Sequence, residues 1–568
     1  MSGVVGNASL TKFDVLVIGS GAGGAAVTHM LCKEGKKVLV LEAGANHYQG
    51  LDDPDRLPTT TFSNDELKLS FRSFIWPDAV LEPRSFRNSE ADGDRTYVGD
   101  VNALPKTVGG GGVHADLKMP RFQPDDFHLG TLLGDVRGAS FADWPVDYDA
   151  LEPFYGYVER VVGIQGLEGS NPFDGPRSSP FPMPPGVPMY VAVRVSEGLT
   201  KLGYHPFPYP TAVNSRPYDG RPACADCGYC SGYACPSHAK GSPALTSLRK
   251  ALLTGNCQLI PETRAVKLLV NGARTEVTGV EAIGPDGARR TFTADAYVLA
   301  ASPIEDARLL LMSDSGGPGI GNSSGQVGRN LTFHFQTGAV GIFDERMHGH
   351  RGRTVTHGFS DFRGLPNDPA HPLGGIVEIS GSELPIEEAA RYLQIMKLTG
   401  GFDGSRLKAL MRQSPGRDRI VALALQAEDA PQPTNRVDLD PALRDVDRLP
   451  VARVTYQNHA FELTARGFYA PKLIEILGAS GARFAFIAPA DAIPSSAHIM
   501  GTLRFGPDPK TSVCDPTGRF HDVGNLYAAD GALFPTSSGF NPTLTIIALA
   551  TRVAAEMVYP GSPEKGLG

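Results

Sequence analysis

The chain has 568 residues, a net charge of −8 and an apolar fraction of 41%. One hydrophobic core does not extend over that length, so two interleaved domains are expected. The acidic balance argues against nucleic-acid binding and leaves no basic patch for a membrane. No run approaches a membrane span, and the N-terminus has neither a basic region nor an apolar signal core, so a cytoplasmic protein is expected. Sixty-six glycines and 46 prolines imply many turns and long ordered loops.

In chain order, residues 13–18 read as a buried parallel strand. Gly19, Gly21 and Gly24 follow in GxGxxG spacing, then a helix through about Lys33 and a second strand over 37–41 that ends on Glu42. Each part has a physical role. Gly19 permits the tight turn, Gly21 lets the backbone approach a pyrophosphate, and Gly24 lets the helix pack close to the strand. The helix N-terminus then faces the phosphates, and Glu42 can accept ribose hydroxyls. These residues predict a dinucleotide, NAD or FAD. Residues 50–100 read as irregular and polar, 107–114 as a second glycine-rich loop, and 143–160 as a turn entering an amphipathic helix. Residues 166–190 read as a proline-rich surface excursion.

Four of the seven cysteines cluster as Cys224, Cys227, Cys230 and Cys235. An odd number of cysteines in a long chain of this kind speaks against a disulfide framework. The spacing sits one residue from a ferredoxin-type run and also suits zinc. The alternative is a cysteine-rich turn without metal. Residues 296–301 predict a buried strand feeding a helix over 304–312. The alternation at 419–425 and 436–439 predicts an antiparallel sheet between about 335 and 490. That sheet interrupts the nucleotide-binding parts, which return at residues 525–531 and the final helix. Asn541-Pro542 before that helix predicts Asn541 as its N-cap and Pro542 at its first position.

Several motifs spread over the whole chain carry a resemblance. They are the first fingerprint with Glu42-Ala43-Gly44, Val108-Gly109-Gly110, Asp143-Trp144-Pro145, Gly328-Arg329-Asn330-Leu331 and the tract from His498 to Met557. With these, the chain resembles the glucose–methanol–choline (GMC) oxidoreductases, nearest the pyranose oxidase and bacterial sugar dehydrogenase branch. The resemblance implies an α/β protein, α+β overall. A discontinuous Rossmann-like FAD-binding domain (11–60, 100–165, 220–334, 496–568) would carry an inserted antiparallel substrate domain and surface excursions (61–99, 166–219, 335–495).

It also implies FAD rather than NAD, with the ADP half on the first fingerprint. The Val108, Gly109 and Gly110 loop would meet the isoalloxazine, and Asp530-Gly531 would lie near the ribityl and pyrophosphate. Asn541, Pro542 and Thr543 would sit at the flavin pyrimidine. The family's catalytic histidine falls on His498 and its second histidine or asparagine on Asn541. Histidine titrates near neutrality and suits a base that takes a hydroxyl proton while hydride moves to flavin N5.

In pyranose oxidases a histidine at the offset of His114 carries the flavin covalently. Here Gly111-Gly112-Val113 intervene, and non-covalent FAD is expected. Some sugar dehydrogenases of the family hold an iron–sulfur cluster near the position of the cysteines; a cluster here would pass electrons to a partner protein. The expected substrate is a sugar, glycoside or other alcohol, with oxygen or an external electron acceptor. A larger apolar alcohol is the alternative, and a cyanohydrin lyase the alternative of another class. His371 matches a sterol-oxidase motif but lies too far upstream and reads as a loop residue. His334, His357, His348 and His350 are candidates to reach the pocket or to sit in a solvated loop.

Overall fold

The computed structural model describes residues 3–60, 76–314, 316–381, 403–413, 418–490 and 496–568, with positions 389, 392–393, 396, 400–401 and 493–494. Three apolar runs, Val15–Ile18, Val38–Leu41 and Ala296–Leu299, are almost wholly buried. They form the middle of a six-stranded sheet, where strands must bury both faces. Its order is Val5–Gly6, Cys257–Ile260, Val38–Leu41, Val15–Ile18, Ala296–Leu299, Leu526–Ala528, all parallel except the first. The order reverses between Val15–Ile18 and Ala296–Leu299. A ligand crevice opens beyond the carboxyl ends of the strands at such a point. The helices Ala22–Lys33 and Thr543–Val558 pack against each other, joining the two ends of the chain.

The second large sheet is antiparallel throughout, in the order Ala482–Ile487, Phe335–Phe343, Ile420–Ala427, Val377–Ser380, Val355–Phe359, Phe207–Pro208. The helices Tyr190–Lys201 and Ala460–Ala479 close one side of it over Val421, Leu423, Leu425, Val377 and Ile379. The fold is therefore α/β, a Rossmann-like parallel sheet joined to an antiparallel one.

Three expectations need correction. Residues 436–444 do not join this sheet; they pair with Pro450–Thr455 in a separate four-stranded one. That sheet also takes Arg84–Arg87 and Tyr97–Gly99, from a region whose sequence reads as irregular. The polarity that hid these strands is neutralised in place, because Arg84 pairs with Glu305 and Arg87 lies beside Asp438. Residues 61–75 of that region lie outside the described residues. Finally, the last helix begins at Thr543 with Pro542 at the cap and no side-chain cap bond, so Asn541 is not the N-cap. Among the described residues no helix is long and apolar enough to cross a membrane.

Candidate active site

The carboxyl ends of the parallel strands carry a cradle of backbone. Gly19 has a φ of +100°, and a Cβ there would lie 2.3 Å from the Ala300 carbonyl oxygen; one on Gly24 would lie 2.0 Å from that of Gly19. These two glycines are required by the chain itself. Gly21 is different: its φ is −68° and a Cβ would meet no atom within 4 Å. Only something outside the chain can demand glycine there. The second glycine loop closes on this spot, since a Cβ on Gly110 would come 2.9 Å from the Gly21 Cα, and Gly109 and Gly110 both have positive φ.

Glu42 ties the two loops. Its Oε2 accepts from Ser20 N (2.9 Å) and Ser20 Oγ (2.7 Å), its Oε1 from Gly44 N (2.8 Å), and Gly109 N donates to Ser20 Oγ (3.0 Å). Burial pushes its carboxyl up, against those hydrogen bonds. Asp530 accepts from Ser302 N and Ala532 N across the switch point. Ser302 Oγ, in a residue at φ +86°, is buried with no partner. An open glycine, a helix N-terminus and an orphaned hydroxyl at one crevice fit a dinucleotide.

His498 and Asn541 come together at a second focus. The Asn541 Nδ2 is 3.4 Å from His498 Nε2, and His498 Nδ1 is 2.8 Å from His334 Nδ1. The imidazole planes cross at 80°. On its far side His334 Nε2 faces the Ser537 carbonyl at 3.3 Å. A carbonyl can only accept, so His334 Nε2 carries the proton and its Nδ1 is an acceptor. His498 must then donate through Nδ1, which leaves His498 Nε2 with a bare lone pair facing Asn541. Burial pulls His334 down to about 4, the Ser537 carbonyl opposing, so it stays neutral in use. Burial, His334 and Lys118 hold His498 well below its ordinary range.

Asn541 is held by two more groups. Tyr209 OH donates to its Oδ1 (2.5 Å), and its Nδ2 donates to Glu378 Oε1 (2.9 Å). Glu378 in turn accepts from Lys118 Nζ (2.5 Å), which also lies 3.2 Å from Asp116. Sequence reasoning missed Glu378, Lys118, Tyr209 and Asp116, which no local motif marks. It flagged His334 without a role. His357 is a half-buried residue of the strand Val355–Phe359, and His371 is exposed and bonded to Asp368. On the His334 side opens a cleft lined by Phe333, His334, Phe335, Tyr456 and Ser496, with Gln336 and Gln457 among the carboxamides around it.

His114 is buried, packs edge-on to Trp76 and accepts a bond from Gly232 N at its carbonyl. The iron–sulfur reading of the cysteines finds no support. Among the described residues no three His, Cys, Asp or Glu gather as metal ligands, and all seven thiols are free. Cys227 is exposed while Cys230 is buried, and burial raises the thiols of Cys224 to about 11 and Cys230 to about 12. The buried Lys240 ammonium binds the carbonyls of Cys230, Tyr233 and Ala115 and so organises the segment.

Comparison with known proteins agrees with this geometry. GMC oxidoreductase models match residues 197–336 and 431–550. The chain is 30% identical to paromamine 6'-oxidase of Streptomyces fradiae, covering 95% of this chain and 90% of that one. It is 29% identical to the fructose dehydrogenase large subunit of Gluconobacter japonicus (95% and 97% covered). It is 30% identical to 2-methyl-1,2-propanediol dehydrogenase of Mycolicibacterium austroafricanum (96% and 95% covered). Pyridoxine 4-oxidase from Mesorbium loti shares the fold, with a TM-score of 0.62, 17% identity, and 96% and 99% of the two chains covered. With a nucleotide cradle, a pair of neutral buried histidines and these relatives, the chain belongs to the GMC oxidoreductase family and is an FAD-dependent oxidoreductase acting on alcohol-type donors.

Proposed function

We propose that this enzyme oxidises a CH–OH group of a neutral sugar, glycoside or polyol, with His498 as base and Asn541 as the donor that holds the substrate oxygen. The observation that carries this reading is the pair formed by the bare His498 Nε2 and the Asn541 amide nitrogen, 3.4 Å apart. A hydroxyl placed between them donates its proton to Nε2 and accepts from Nδ2, so the proton leaves as negative charge on oxygen is stabilised. FAD, held non-covalently by the cradle of Gly19, Gly21, Gly24, Glu42, Val108, Gly109, Gly110, Asp530 and Gly531, supplies the hydride acceptor. His114, Pro542 and Thr543 are assigned to the isoalloxazine end of that site. Oxygen or an external carrier takes the electrons onward.

Burial keeps His498 unprotonated and ready to accept. The bond from its Nδ1 to His334 persists when it becomes an imidazolium, and charge on a donor strengthens such a bond. The substrate class follows from the cleft. Carboxamides donate and accept at once and suit vicinal hydroxyls, and the described lining bears no charged side chain. The relatives named for fructose and for a diol are in keeping with this.

The test is anaerobic mixing with a panel of neutral sugars and diols. One or more should bleach the flavin, and His498→Ala should slow that reduction by about a hundredfold or more. Near-normal reduction in the variant removes His498 from the mechanism.

A further inference from the structure

We propose that Glu378, clamped by Lys118, and Tyr209 are positioning residues that fix which way the Asn541 amide faces. The inference rests on the reading of His498 and Asn541 given above.

An asparagine side chain can flip and exchange its oxygen and nitrogen. Here it cannot. A carboxylate only accepts, so the Asn541 atom 2.9 Å from Glu378 Oε1 is the nitrogen. The oxygen then faces Tyr209 OH at 2.5 Å, where a donor is needed. Burial and the nearby Glu378 charge push the Tyr209 phenol well up, so it keeps that proton. A flipped amide would set its oxygen against a buried carboxylate. One N–H of Asn541 is spent on Glu378, and the other is left for the space before His498 Nε2, where the substrate oxygen would sit.

The clamp is tertiary. Glu378 lies on the strand Val377–Ser380, Lys118 is 260 residues away along the chain, and Tyr209 follows the edge strand Phe207–Pro208. Glu378 is only 3% exposed. A carboxylate at that depth calls for a cation beside it, and Lys118 Nζ supplies one at its other oxygen. Burial works against the Lys118 charge, but Glu378 and Asp116 outweigh burial and keep the ammonium charged. Nor does Asn541 have a competing task, because it does not cap the helix that follows.

Glu378→Gln tests the clamp. Its new NH2 must face either the Lys118 ammonium or the Asn541 amide, both donors, so one contact fails in either orientation. We expect kcat/KM for the best substrate of the sugar and diol panel to fall about ten- to a hundredfold, with flavin content per chain unchanged. Adding Lys118→Met removes one donor and should restore most of the loss. Tyr209→Phe, which deletes only the hydroxyl, should cost about tenfold. In an Asn541→Ala background each change should cost less than about twofold, because groups that act through one residue are not additive.

Equal losses in the Asn541→Ala and native backgrounds, or no rescue by Lys118→Met, would overturn the proposal. Native rates in both Glu378→Gln and Tyr209→Phe would do so too. His498→Ala run in parallel separates the failures: if it alone retains reduction, the base assignment falls. If it abolishes reduction while the two positioning variants stay additive with Asn541→Ala, only the clamp falls.

Discussion

His334 lies at His498 Nδ1 and the Asn541 amide at its Nε2, yet by fixing the His498 tautomer His334 should control the reaction. In His334→Leu the His498 Nδ1–H loses its acceptor 2.8 Å away and faces hydrocarbon. A buried donor left unmade costs about 1–3 kcal/mol, and a bond to a charged group contributes about 1.5–3 kcal/mol. What slows the reaction is the difference between the two figures, because His498, as the proposed base, carries charge only once it has taken the substrate proton. The loss therefore falls more heavily on the transition state than on the resting enzyme. It also releases the other tautomer, in which Nε2 bears the hydrogen and cannot act as base.

Together with the released tautomer this difference gives about 1–2 kcal/mol, or roughly a 5- to 30-fold slower flavin reduction at about 1.4 kcal/mol per decade. The assay is anaerobic stopped-flow reduction at saturating substrate, with flavin content and thermal midpoint measured on the same samples. Substrate affinity should change little, so the loss should appear in the limiting rate and not in the half-saturation concentration. His334→Gln, which can offer a side-chain oxygen, should recover part of the rate. Reduction of His334→Leu within about twofold of the native enzyme would refute the tautomer argument.

Other outcomes follow from the same structure. Gly21→Val should fold but lose FAD, since its Cβ meets no chain atom and its φ of −68° suits any residue; normal flavin retention would mean the cradle is wrongly placed. Lys118→Met should move the acid limb of the kcat/KM profile to higher pH, because Lys118 is the cation that helps hold His498 low; Glu378 and Asp116 flank that lysine. A limb that stays or moves down would sink this. Glu428 is pushed up to about 7 by burial, against Arg363, from an ordinary 4.5. Folded, it holds its proton to higher pH than unfolded, so the native protein loses stability as pH rises from about 4.5 through 7. Glu428→Gln lacks that loss, and its thermal midpoint relative to native should rise between about pH 4.5 and 7 and level off above; a constant difference would contradict the shift.

What could be read from the sequence was what local geometry imposes. Gly19 and Gly24 are dictated within a few residues by a tight turn and a close helix, and Glu42 by the second strand, so spacing alone exposes them. Asn541 shows where that logic breaks. Asn-Pro before an apolar helix is a good cap signal, but a cap competes with whatever else the amide can bind. In the folded chain the buried phenol of Tyr209 and the carboxylate of Glu378 win that competition, and the helix starts at Thr543 without it.

Buried charges are illegible for a related reason: a carboxylate such as Glu378 is tolerated in the interior only beside its partner, and that partner stands 260 residues away. On its own strand it reads as one polar position in an alternation. The cysteines err in the opposite direction. Their spacing invites a metal, but among the described residues they do not gather as a ligand set, with Cys227 exposed and Cys230 buried. A local pattern states what a segment could bind; the competition among distant side chains decides what it does bind.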